Sequence, residues 1–211
     1  MGEGPLTRLE LDELFHPVAG LETDRLVLEP LRIAHADALF RMLSDPEVTG
    51  AIHEVPHASV DVTRTHVGGI LKRHETRTGI SWALTLKGEG ETIGLASLHS
   101  VSWANRRGDL GFDLASRAWR RGLMSEALRS IIDFCFSRLR FLKVCAQNTV
   151  DNDRCHALLL NLGFQQEGLL LQHGFWCDRA HDLRQYGLLA PRDEDEKRVE
   201  LVTPPIPASE C

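Results

Sequence analysis

The chain has no C-x-x-C pair, although its 211 residues include five cysteines, at positions 135, 145, 155, 177 and 211. An odd number without metal-ligand spacing argues against a disulfide framework and for reduced thiols. Histidine is plentiful but scattered. His53 and His57 stand four apart with Pro56 between them and no third ligand in evidence, so no metal site is expected. No apolar run approaches a membrane span, no charged-then-apolar leader opens the chain, and Leu6 stands where a myristoylation signal needs Ser or Thr. There is no basic excess either. A net charge of −6 and a pI near 5.9 speak against general nucleic-acid binding. No internal repeat is visible. The expectation is a soluble, cytoplasmic protein without a membrane or nucleic-acid partner.

What is present suits one sizeable core, since 43% of the residues are hydrophobic. Residues 1–21 read as an N-terminal extension with a possible short helix in LTRLELDELF, 22–190 as the domain, and 191–211 as a mobile charged, then proline-rich tail. Within the domain, strands are expected at 25–31, 80–86, 92–99, 108–114, 141–147, 164–172 and 182–190. Helices are expected at 34–45, which Pro46 helps to stop, at about 59–77, from Leu123 onward, and at 152–162 before Gly163. The segment HGFWCDRAH joins the last two strands. The order gives a mixed α/β layer fold, about seven strands flanked by about four helices.

The chain is organised around residues 108–139. Leu110, Phe112 and Leu114 alternate with Asp109, Gly111 and Asp113, the period of a half-buried strand. From Leu123 the period becomes helical, with Leu123/Met124, Ala127/Leu128, Ile131/Ile132 and Cys135 on one stripe. Between them stands Trp119-Arg120-Arg121-Gly122. Free N–H groups at a helix start attract phosphate, arginine adds charge, and glycine lets a ligand approach the backbone. A Walker loop is excluded because no Gly-Lys-Ser/Thr run exists. A Rossmann turn is excluded because only Gly122 falls between strand and helix.

What remains resembles the acetyl-CoA loop R/Q-x-x-G-x-G/A of the GNAT superfamily of N-acetyltransferases. Residues 119–124 keep the central Gly122 and depart at the first and last positions. NDRCHALLLNLGF (152–164) is similar to that family's N-x-x-S-x-x-x-L-x-x-x-G-F, with Asn152, Leu159, Gly163 and Phe164 in register and Cys155 in place of Ser. TDRLVLEPLRIAHADALFRMLSDPEVT resembles the opening of the RimJ/RimL branch, the ribosomal-protein N-terminal acetyltransferases. EGLLLQHGFWCDRAHDLRQYGLL resembles its last hairpin, with Asp182 and Tyr186 matching. The resemblance covers about residues 22–190.

It implies a GNAT-like central mixed sheet and acetyl transfer from acetyl-CoA to a primary amine, most naturally a protein or peptide N-terminal α-amine. It leaves room for a homodimer. It implies cofactor contacts from Phe112, Leu114, Arg120, Arg121, Gly122, Leu123, Met124, Ser125, Asn152 and Cys155, with Phe112–Leu114 pairing by backbone with the pantetheine arm. Asp109 stands where the branch often carries Glu and is the base candidate. Cys155 is a donor to the leaving thiolate or, less favoured, a nucleophile. His53, Glu54, His57, His173 and His181 are rival bases or substrate contacts, and Trp176 and Tyr186 are pocket or core residues. Two alternatives stay open: a small-amine acceptor (polyamine, amino acid or antibiotic), and a non-catalytic acyl-CoA-binding module.

Overall fold

The computed structural model describes residues 6–15 and 18–191; the tail expected at 191–211 lies, from 192 on, outside the described residues. The chain runs through α1 (Arg8–Phe15), β1 (Leu21–Glu22), β2 (Leu26–Pro30), α2 (Ala36–Leu43), α3 (Pro46–Ala51), α4 (Val60–Glu75), β3 (Ile80–Leu86), β4 (Thr92–Ser102) and β5 (Arg107–Leu114). It continues with α5 (Leu123–Ser137), β6 (Lys143–Thr149), α6 (Asp153–Asn161), β7 (Gln165–Trp176) and β8 (Arg179–Leu189). The strands form one sheet in the order β1-β2-β3-β4-β5-β6-β8-β7. Every pairing is antiparallel except that of β5 with β6.

The central strands are buried on both faces. Ile80, Trp82, Leu84 and Leu86 of β3 join a core with the α5 stripe and Leu159 of α6, whereas Ala83 and Leu95 point to the other face, under α2 and α4. All seven residues of the expected α5 stripe are buried. Each fully buried leucine contributes roughly 1.5–3 kcal/mol. The N-terminal helix α1 belongs to the first core, with Leu14 and Phe15 buried and the Phe15 ring edge-on to Trp103.

Three details differ from the sequence reading. The sheet has eight strands, because the short β1 adds an edge. Pro46 starts a helix as well as following one: it stands at the first turn of α3, where its missing N–H costs nothing, and Asp45 caps that helix by accepting from Glu47 N–H at 2.9 Å. The segment 173–181 is not a connection between strands. β7 and β8 extend through it to a two-residue turn, Cys177-Asp178, with φ of 50° and 55°, the left-handed pair that a tight hairpin requires.

Candidate active site

β5 and β6 pair only from Arg107↔Lys143 to Leu110↔Ala146. Beyond that point β5 stays bonded to β4 and β6 to β8, so the two strands part like a fork. The β6-facing backbone of Gly111–Leu114 is left without a strand partner, a free edge that an extended ligand can join. Two cavities meet at this fork.

The first, of about 520 Å³, is walled by Phe112–Leu114, the loop Trp119–Ser125 and α6. Of the cofactor residues expected from the sequence, Phe112, Leu114, Arg120, Gly122, Leu123, Met124, Ser125, Asn152 and Cys155 line it. Arg121 does not; its carbonyl instead accepts from Arg25 Nη1 at 2.9 Å. The first intrahelical bond of α5 runs from Glu126 N–H to the Gly122 carbonyl, leaving the N–H groups of Leu123, Met124 and Ser125 free for an anion. Gly122 has φ of 73°, a turn that L-residues adopt at a penalty of roughly 1–2 kcal/mol. A side chain there would also meet the Arg25 guanidinium at 3.6 Å.

Glu126, in the first turn of α5, would oppose a phosphate if left free. It is held by Thr23 Oγ1 at 2.6 Å, Arg25 N–H at 2.8 Å and Arg25 Nε at 2.7 Å. Partial burial pushes this carboxyl up, but the Thr23 and Arg25 hydrogen bonds outweigh it and keep its pKa below the ordinary value. A cation that the sequence reading missed, Arg154, also lines the cavity, its guanidinium 4.6 Å from the Trp119 ring centroid. Trp119 Nε1 in turn donates to the Leu114 carbonyl at 2.7 Å.

The second cavity, of about 570 Å³, opens between the loop after α3 and the β7–β8 hairpin. Its wall carries Glu54, His99, Asp109, Asp113 and Trp176, and neither lysine nor arginine. Asp109 and His99 face one another across β4 and β5. Burial lowers the His99 pKa, against the nearby Asp109 charge, so the imidazole is neutral at pH 7. Its Nε2 lies 3.3 Å from where a Cβ on Gly111 would sit, so a larger residue at 111 would press on the ring. Trp176 stacks on His181 with centroids 4.4 Å apart and keeps a buried Nε1 without a hydrogen-bond partner.

Ile52, Phe112, Asp113, Asn152 and Cys155 line both cavities and mark their junction. Asn152 caps α6, accepting from Cys155 N–H at 3.0 Å, and donates through Nδ2 to the Ala51 carbonyl at 2.9 Å, so its polar groups are committed to structure. Burial, and after it the Asp113 charge, pushes the Cys155 thiol up to about 12. Asp113 is itself raised to about 7 by burial and then by Glu54.

The remaining sequence candidates lie elsewhere. His53 bonds Asp151 at 2.9 Å and His57 bonds Thr63 at 2.8 Å; neither lines the second cavity. His173 is exposed, and His181 lies against Trp176. Tyr186 is a core residue with no exposed surface, and its hydroxyl engages Asn148 and His156. Among the described residues no group of three or more His, Cys, Asp or Glu is placed to hold a metal, and no helix is long and apolar enough to cross a membrane. His99, Asp113 and Arg154 carried no motif; only their places on the cavity walls mark them.

Residues 25–165 match the acetyltransferase (GNAT) domain family. The uncharacterized N-acetyltransferase YoaA of Bacillus subtilis (strain 168) is 29% identical over 173 residues, 82% of this chain and 98% of that protein. The ribosomal-protein-serine acetyltransferase of Escherichia coli (strain K12) is 27% identical over 128 residues, 61% of this chain and 70% of its own. Among solved structures, RimL, a ribosomal L7/L12 α-N-protein acetyltransferase in complex with coenzyme A, superposes with a TM-score of 0.72 at 19% identity, covering 82% of this chain and 98% of that one.

Proposed function

The chain belongs to the GNAT acetyltransferase family, and on that footing we propose that it transfers acetyl from acetyl-CoA directly to the α-amine of a protein or peptide N-terminus. It is an N-acetyltransferase with acetyl-CoA as acyl donor. The observation that carries the reading is the meeting of an anion-suited cavity and an acidic cavity at one junction. The donor fits the first: free N–H groups of α5, Arg120 and Arg154 suit its phosphates, and the open edge of β5 suits an extended arm. When bound, it supplies an activated acyl group.

Direct transfer is favoured by Cys155. With its pKa near 12, roughly one thiol in 10⁵ is ionised at pH 7, too few for an efficient nucleophile. The Cys155 thiol stays a neutral wall group and a weak donor. The α-amine is favoured by the modest bases available. Such an amine has a pKa of roughly 8, whereas lysine at about 10.4 needs a stronger acceptor. The E. coli relative, a ribosomal-protein-serine acetyltransferase, supports a protein acceptor. A second reading, a small cationic amine, is favoured by the three carboxylates of the second cavity.

The test is CoA release from acetyl-CoA with peptides whose N-terminus is free or blocked, beside polyamines and amino acids. Release that vanishes on blocking the terminus is the expected result. Turnover confined to small amines would replace the peptide reading with the second one.

A further inference from the structure

Asp113 is the one carboxylate among the described residues that lines both cavities. It stands beyond the fork, after the last β5–β6 pair at Leu110↔Ala146, and shares the junction with Asn152 and Cys155. Burial and the Glu54 charge act on it, and no hydrogen bond or cation offsets them. Around it face Glu54 from the loop after α3 and the thiol of Cys155 from α6. Asp109 and His99 lie farther along the acceptor cavity, and Arg120 and Arg154 along the donor cavity.

We propose that Asp113, at the join of the two cavities, is the general base that takes the proton of the attacking amine. This rests on the acetyl-transfer reading above. Asp109, the base candidate suggested by sequence, is less well placed. At about 3.3 Å per residue its Cα lies roughly 13 Å back along β5, so the two carboxylates cannot serve the same reacting atom from similar positions. Asp109 also sits where β5 and β6 are still paired, opposite Cys145, and lines the acceptor cavity alone.

The acceptor arrives as an ammonium ion, drawn by Glu54 and Asp113. One N–H proton passes to the Asp113 carboxylate, and the freed lone pair forms the N–C bond to the thioester carbon. The C–S bond breaks, its electron pair goes to sulfur, and the thiolate takes up the second proton lost by nitrogen. Ammonium and acetyl-CoA thus become amide, CoA thiol and one proton, the one held on Asp113 until it leaves to solvent. A base titrating near pH 7 is well matched to this task, half ionised and still a useful acceptor.

The experiment is the pH dependence of kcat/KM for a free-N-terminus peptide in wild type, Asp113→Asn, Glu54→Gln and Asp109→Asn. Carboxyl carbon NMR of the ligand-free proteins runs beside it. Wild type should show an inflection near 7. Asp113→Asn should lose roughly 10²–10⁴-fold in rate at pH 7 together with that inflection. Glu54→Gln should move the inflection to lower pH, because one negative neighbour is gone. The NMR should show one carboxyl titrating near 7, missing from Asp113→Asn. If Asp109→Asn removes the inflection while Asp113→Asn keeps it, or if no carboxyl titrates near 7, the assignment to Asp113 is wrong. If wild type releases CoA with no amine at all, the acetyl-transfer reading itself falls.

Discussion

Four cysteines of the described residues live in different surroundings, and their chemistry should differ accordingly. Cys135 and Cys145 are buried, with burial pushing both thiols up. Cys155 borders both cavities but is almost wholly un-ionised at pH 7. Cys177 is exposed at the tip of the β7–β8 hairpin, its thiol donating to the His53 carbonyl at 3.1 Å. At pH 7, iodoacetamide followed by peptide mass spectrometry should label Cys177 first of these four. Cys155→Ser should keep at least about a third of the activity, since serine is the better donor and no thiolate is lost. Preferential labelling of Cys155, or a hundredfold loss in that variant, would restore the covalent mechanism. Asp113 makes a second prediction, this time about stability. Its folded pKa near 7 lies above an unfolded value of about 3.9, so the native state binds more protons between the two. Stability is therefore favoured at low pH and declines as pH rises from about 4 through 7. Asp113→Asn removes that decline, by an amount of up to about 4 kcal/mol. Urea unfolding should show the variant gaining on wild type between pH 4.5 and 8; a constant difference would mean that the carboxyl is not raised.

At the scale of elements, the sequence was most legible where one periodicity ran long enough. The stripe from Leu123 to Cys135 and the alternation in 108–114 both mark elements found where expected, because each is fixed by a burial pattern along its own length. Pro46 was read as a stop when it both follows one helix and opens the next; only the tertiary bond from Ser116 Oγ to Asp45, at 2.7 Å, shows how firmly that junction is held. The wall of the first cavity was legible where one contiguous stretch carries Arg120, Gly122, Leu123, Met124 and Ser125. Of the second cavity's wall the sequence picks out Glu54, Asp109 and Trp176 but neither His99 nor Asp113, which carry no motif and join the others only in the fold. The Arg25–Glu126 clamp was hidden for the same reason, since its partners are 101 residues apart. Arg25 links the N-terminal strands to both the carboxylate of α5 and the Arg121 carbonyl, and so sets the shape of the phosphate-suited loop. Arg25→Ala leaves Glu126 less well neutralised beside that loop. It should raise the KM for acetyl-CoA about tenfold with kcat changed little, a loss of about 1–2 kcal/mol expected of charge-assisted hydrogen bonds at a partly exposed site. Steady-state kinetics at saturating peptide checks it; an unchanged KM would reduce the clamp to a structural role.

At the scale of the molecule, one departure from regular pairing produces the site. Among the described residues seven strand pairings are made, six antiparallel and one parallel, and the parallel one ends after four residue pairs, where β5 stays with β4 and β6 with β8. Hydrophobic cores cover both faces of the sheet around that fork. The fork separates the charges as well. Arg120 and Arg154 lie on the donor side, Glu54 and Asp109 on the acceptor side, and Asp113 where the two meet, in a chain of net charge −6. An acceptor that carries a carboxylate close to its amine must bring it toward like charge. At roughly 8 Å and an effective dielectric of about 40, one such pair is unfavourable by about 1 kcal/mol, and a cation at the same place gains as much. Peptides differing only in lysine or glutamate at the second position should therefore differ about tenfold or more in kcat/KM, lysine being favoured. Raising ionic strength from about 0.02 to 0.5 M should shrink the ratio, because the screening length falls from above 20 Å to below 5 Å. Glu54→Gln should shrink it at low salt too, since Glu54 is the exposed member of the three and the first that the side chain of a second residue would meet. Equal rates for the two peptides at low salt would show that the acceptor's flanking residues lie outside the acidic cavity.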